Sequence, residues 1–86
     1  MDYAVEFSPA AHRQLRKLDP PILKRILHRI EQLEKRPRPK TAKQLQGATH
    51  QLYRVREGDY RVVYSIEDKK LIVLIIRIGH RSEVYR

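Results

Sequence analysis

Nineteen Lys and Arg against ten Asp and Glu give this 86-residue chain a formal charge of +9, a field that attracts polyanions and makes nucleic acid the default partner. So short a chain buries only roughly 60 to 65% of its unfolded surface, enough for one domain spanning 1–86. No cysteine occurs and His12, His28, His50 and His80 are too widely spaced for a local ligand pair, which excludes disulfide staples and predicts no structural metal or cofactor.

The N-terminus, Met1-Asp2-Tyr3-Ala4, has no basic stretch leading into a long apolar run, and Leu71 to Ile76 falls far short of a membrane span. A soluble, unprocessed, cytoplasmic protein without membrane contact is expected. Tyr3, Val5 and Phe7 alternate with polar or small residues, the period of a half-buried strand. Ser8-Pro9 reads as an N-cap followed by proline at the first helical position, and Ala11, Leu15 and Leu18 carry an i, i+4, i+7 stripe to about Leu18. Asp19-Pro20-Pro21 repeats the start signal. Ile22, Leu23, Ile26, Leu27, Ile30 and Leu33 then form a wide apolar face on a second helix ending near Lys35. Its other face, with Lys24, Arg25, Arg29, Glu31 and Glu34, reads as a solvated surface. Arg36-Pro37-Arg38-Pro39-Lys40 cannot continue a helix, because each proline removes an N–H and pushes its predecessor out of the α region. It reads as an extended basic linker.

From Leu52 the period becomes two. Leu52 to Arg56, Tyr60 to Ile66 and Leu71 to Ile78 are rich in Val, Ile and Tyr, and turn compositions at Glu57-Gly58-Asp59 and Glu67-Asp68-Lys69-Lys70 separate them. The last run is apolar on both faces, which marks a central strand. The prediction is an α+β domain: an N-terminal strand, a two-helix hairpin, then an antiparallel three-strand meander forming a curved sheet with one partly open basic face.

Strand alternation places Arg54 and Arg56 opposite Tyr53 and Val55, and Arg61 opposite Tyr60, Val62 and Tyr64. A hairpin closed at Gly58 brings Arg56 near Arg61. Arginines converging on one patch repel one another, and proteins accept that mostly where an anion is bound. Arg77 closes the alternate series Leu71, Val73, Ile75 and is expected at the far end of the same face. After the last strand, Gly79 to Arg86 supplies an imidazole, a guanidinium and a phenol within a few residues. Alone, His80 reads as a surface residue and Tyr85 as a rim aromatic; beside an arginine cluster they read as a site.

Leu52-Tyr53-Arg54-Val55-Arg56, Gly58-Asp59-Tyr60-Arg61-Val62-Val63-Tyr64 and Ile78-Gly79-His80-Arg81-Ser82-Glu83-Val84-Tyr85, with the helical hairpin and the Leu45-Gln46-Gly47 lead-in, resemble the RelE branch of the RelE/ParE toxin superfamily over nearly the whole chain. The middle segment is shared across the superfamily, and the final one, with its terminal tyrosine, leans toward ribosome-dependent nucleases. The resemblance implies a type II toxin-antitoxin system toxin that is an enzyme, an mRNA interferase. Such an endoribonuclease enters the A site of a translating ribosome and makes the messenger 2′-OH attack the adjacent 3′ phosphate, without a metal. It implies that Arg54 and Arg56 hold the phosphate and promote deprotonation of the nucleophile, and that Arg61 stabilises the pentacovalent transition state. Arg81 falls at the position associated with protonating the leaving oxygen, and Tyr85 at the aromatic that orients the substrate. Guanidinium groups suit phosphate oxygens, but with a pKa above about 12 arginine is a poor proton shuttle. Histidine, with a reference pKa of about 6.5, is better suited, so His80 is the preferred proton-transfer residue, as acid or base.

The resemblance also implies a cognate antitoxin, expected to be small and acidic and to lie over Arg54, Arg56 and Arg61, with DNA contacted only through the antitoxin complex. Relative to some members, a C-terminal helix beyond Tyr85 is expected to be missing. Two other readings share the fold: a ParE-like inhibitor of DNA gyrase, for which His80 and Tyr85 are dispensable, and an inactive toxin acting as antitoxin co-repressor.

Overall fold

The first alternating segment forms β1 (Ala4–Phe7) in a computed structural model that describes residues 2–45 and 52–80. Ser8 ends the strand and starts α1 (Pro9–Arg16): its backbone is extended, and its Oγ accepts the Ala11 N–H at 3.0 Å, satisfying a donor that the helix start leaves over. Asp19 opens α2 (Pro20–Gln32) at the boundary expected of it, although its side chain makes no capping bond. Beyond Gln32 the chain tightens, with the Leu33 and Glu34 N–H groups donating three residues back to Ile30 and Glu31. The Glu34 carbonyl is thus left for the Tyr3 N–H, at 2.7 Å. Neither helix is long and apolar enough to cross a membrane.

The proline segment is no loose linker. The Tyr64 hydroxyl donates to the Pro37 carbonyl at 2.7 Å, and Arg38 donates to both carboxylate oxygens of Asp68 (3.1 and 2.8 Å) and through Nε to the Tyr53 hydroxyl at 3.1 Å. The Tyr3 hydroxyl reaches Asp68 Oδ1 at 2.8 Å. Hydrogen bonds from Arg38 and Tyr3 hold the Asp68 carboxyl below its ordinary range, while burial pushes the Tyr64 phenol up. Tyr53 and Tyr64 stack with ring centroids 5.8 Å apart, so the strap is fastened to two neighbouring strands and to a turn.

A three-residue strand, β2 (Lys43–Leu45), precedes β3 (Leu52–Glu57), β4 (Tyr60–Glu67) and β5 (Ile72–His80). Gly58 turns β3 into β4 at φ 61°, a conformation that glycine adopts without steric cost. The sheet order is β1-β5-β4-β3-β2. β1 runs parallel to β5, from Ala4 opposite Ile72 to Phe7 opposite Ile75, and the remaining pairs are antiparallel. The expected three-strand meander is present as β3–β4–β5, within a mixed five-stranded sheet that also holds β2 and the parallel β1. A period of two assigns faces and not neighbours, so the parallel return of β1 through the helical hairpin left no mark in the pattern. The two-sided apolar run does lie inside the sheet, between β1 and β4.

Both helices cover one face. Ala11, Ile26, Ile30 and Leu33 pack against Tyr53, Val55, Val62, Tyr64, Val73, Ile75 and Ile78, each buried aliphatic side chain contributing about 1.5 to 3 kcal/mol. Past Phe7, β1 no longer borders β5, and α1 takes its place: the Ser8 hydroxyl donates to the Ile76 carbonyl at 2.7 Å and the Ile78 N–H donates to Gln14 Oε1 at 2.6 Å. Backbone groups on that edge are satisfied by a helix where a strand is lacking.

Candidate nucleic-acid interface

Residues directly opposed in a ladder share a face, so the register sorts the cations. One row across the sheet reads Lys43, Arg54, Val63, Arg77, and the next Arg56, Arg61, Gly79. Both lie on the side away from the helices, because the alternating Tyr53, Val55, Val62 and Ile78 belong to the core. Arg54, Arg56, Arg61 and Arg77 are thereby brought to one face. Lys43 joins them from β2, a strand too short for its alternation to be recognised in the sequence.

The face is less open than expected. Arg54 is 8% and Arg61 6% exposed, whereas Lys43, Arg56 and Arg77 are exposed. The recessed arginines have a strand on either side or lie beside another row member, while the exposed cations end their rows. Burial, and then the charge of Arg56, lowers the pKa of Arg54, as befits a cation held where water solvates it poorly. Arg61 makes a long hydrogen bond from Nη1 to the Tyr60 carbonyl, at 3.4 Å. Neither row contains a carboxylate.

Arg77 reaches this face for a reason other than the one expected. Val73 and Ile75, with which it alternates, are fully buried on the helix side. Between Val63 and Tyr64 the register shifts: Tyr64 pairs with Ile75 and Val63 with Arg77, skipping Ile76. This bulge inverts the phase of the strand. The same inversion sends His80 the other way. It lies opposite Tyr60, edge-on to that ring with centroids 5.7 Å apart, on the helix side of the sheet. The register thus puts His80 on the face opposite that of Arg54, Arg56, Arg61 and Arg77. Arg81 and Tyr85 lie outside the described residues.

Chemically, a guanidinium is a group that can offer paired N–H donors to phosphate oxygens. Among the described residues no three His, Cys, Asp or Glu gather as metal ligands. A cleft of about 390 Å³ lined by Arg29, Gln32, Leu33, Lys35, Arg36 and Pro39 involves none of the arginine rows.

The family described as "ParE toxin of type II toxin-antitoxin system, parDE" matches residues 5–85. The chain belongs to this toxin family. The toxin is 34% identical over 87 residues to Toxin RelG of Mycobacterium tuberculosis, covering 100% of this chain and 99% of that one. To the mRNA interferase toxin RelE of Escherichia coli (strain K12) it is 32% identical over 89 residues, covering 99% and 92%. Among solved structures it is similar to one described as the archaeal RelE–RelB complex from Pyrococcus horikoshii OT3, with a TM-score of 0.83 at 31% identity over 98% of this chain and 100% of that one. The isolated E. coli RelE toxin gives a TM-score of 0.80 at 30% identity, covering 96% and 90%. These relatives put the toxin on the RelE branch, with its arginine rows carried by β3, β4 and β5.

Proposed function

We propose that the toxin is a ribosome-dependent endoribonuclease that cuts messenger RNA in the A site. The observation that carries this reading is the gathering of Arg54, Arg56, Arg61 and Arg77 on two adjacent rows of one sheet face. A scissile phosphate seated there meets the recessed Arg54 and Arg61, which offer charge where the pentacovalent intermediate develops it, and the exposed Arg56 and Arg77, which guide the flanking backbone. The ribose 2′-OH attacks its neighbouring phosphorus, the bond to the 5′ oxygen breaks, and the products are a cyclic phosphate and a 5′-OH. No metal takes part in this scheme. The proton released by the 2′-OH is balanced by one delivered to the leaving 5′ oxygen, a transfer assigned to His80 or Arg81, and Tyr85 orients the substrate. His80, expected in that proton-transfer role, would act on RNA only around the end of the sheet, since it faces Tyr60. The name of the E. coli relative, an mRNA interferase, supports the reaction class.

An acidic antitoxin is the proposed partner, in keeping with the RelE–RelB complex among the similar structures. The test is to map messenger 5′ ends after brief expression, with Arg61→Ala, His80→Ala and Tyr85→Phe alongside. New ends within ribosome-covered codons, lost in Arg61→Ala, are expected; intact messages at concentrations that arrest translation overturn the reading. A gyrase inhibitor is the second reading, favoured by the match to the ParE description over residues 5–85. Supercoiling assays with purified gyrase decide between them.

A further inference from the structure

In a regular strand successive carbonyls point to opposite edges. At the bulge in β5 two successive carbonyls, of Ile75 and Ile76, turn to the same edge, and both are taken by one residue: the Ser8 N–H donates to Ile75 at 2.9 Å and the Ser8 hydroxyl to Ile76 at 2.7 Å. Two residues on, the Ile78 N–H is received by Gln14 Oε1 at 2.6 Å. The bonds from Ser8 and from Gln14 of α1 thus straddle Arg77, whose own partner across the ladder is Val63.

We propose that Ser8 and Gln14 are positioning residues that hold the bulge of β5 and thereby keep Arg77 on the arginine face. Resting on the reading of that face as a phosphate grip, the inference adds a mechanical dependence of the grip on α1. The Ser8 hydroxyl has two separable duties, accepting from the Ala11 N–H as helix cap and donating to Ile76 as bulge clamp. An aspartate can accept but not donate, so Ser8→Asp keeps the cap and abolishes the clamp, whereas Ser8→Thr keeps both. Gln14→Leu removes the second bond and leaves Ser8 untouched.

Two measurements on the full-length toxin test this. The first is the cross-strand nuclear Overhauser contact between Val63 and Arg77. It is expected to persist in Ser8→Thr and to weaken or vanish in Ser8→Asp and Gln14→Leu. The second is binding of a short 2′-O-methylated RNA, which has no attacking hydroxyl, across a salt series. Ser8→Asp, Gln14→Leu and Arg77→Ala should each weaken it several-fold and lower the slope of log K against log salt by about 0.7, one single-strand phosphate contact. In an Arg77→Ala background Gln14→Leu should add nothing, because both act through one guanidinium. An unchanged Val63–Arg77 contact in both Ser8→Asp and Gln14→Leu, or losses that simply add to that of Arg77→Ala, overturns the proposal. If the contact is lost while Arg77→Ala binds RNA like the parent, the positioning role stands and the phosphate reading of Arg77 falls.

Discussion

Arg56 stands directly opposite Arg61 across the β3–β4 ladder, on the face turned away from both helices. Like charges paired this way destabilise a sheet by up to about 1 kcal/mol. Replacing the exposed partner, Arg56→Thr, should raise the urea midpoint while reducing messenger cleavage. A lower midpoint would show that the pair is held by a favourable contact stronger than its repulsion.

Tyr64 is fully buried, and its hydroxyl fixes the Pro37 carbonyl. Tyr64→Phe keeps the ring stacked on Tyr53 and leaves that carbonyl without its donor, a loss of about 1 to 2 kcal/mol. Equilibrium unfolding measures it, and a change within error would mean that water replaces the hydroxyl.

The Asp68 carboxyl, held low by Arg38 and Tyr3, gives a pH signature. Its folded pKa lies below its unfolded value, so its stabilisation is fully present above roughly pH 4 and disappears as pH falls through the folded value. Asp68→Asn should therefore lower Tm slightly at neutral pH and converge with the parent in acid. A gap that widens in acid would reverse the sign and sink the assignment.

Gly58 sits at φ 61° with no atom within 4 Å of where a Cβ would stand. Space is no obstacle, so Gly58→Ala should cost only the left-handed backbone penalty, about 1 kcal/mol, and Gly58→Asn less. Chemical denaturation of both variants checks the order; equal losses would point to a steric cause.

Face assignments were legible in the sequence wherever alternation was unbroken. Arg54, Arg56 and Arg61 fell where Tyr53, Val55 and Val62 required. Past Ile75 the same rule misled, because a one-residue bulge has no sequence signature in a run of apolar side chains. The bulge, and not alternation with Val73 and Ile75, carries Arg77 to the face of Arg54 and Arg61, and it turns His80 toward Tyr60. Long-range capture was equally invisible: nothing local says that Arg38 in a proline-rich stretch will find Asp68, or that Gln14 will find Ile78.

Because β5 inserts between β1 and β4, the middle of the sheet is supplied by the last strand described. During synthesis the N-terminal strand waits with its helices for partners translated 68 residues later, Ala4 for Ile72 and Phe7 for Ile75, a long-range closure of the kind that slows folding. A nascent chain cut short before Ile72 should be readily digested by protease and harmless to its host. This topology would delay poisonous activity until β5 has been made, leaving an interval in which a ready-made inhibitor can meet each newborn copy.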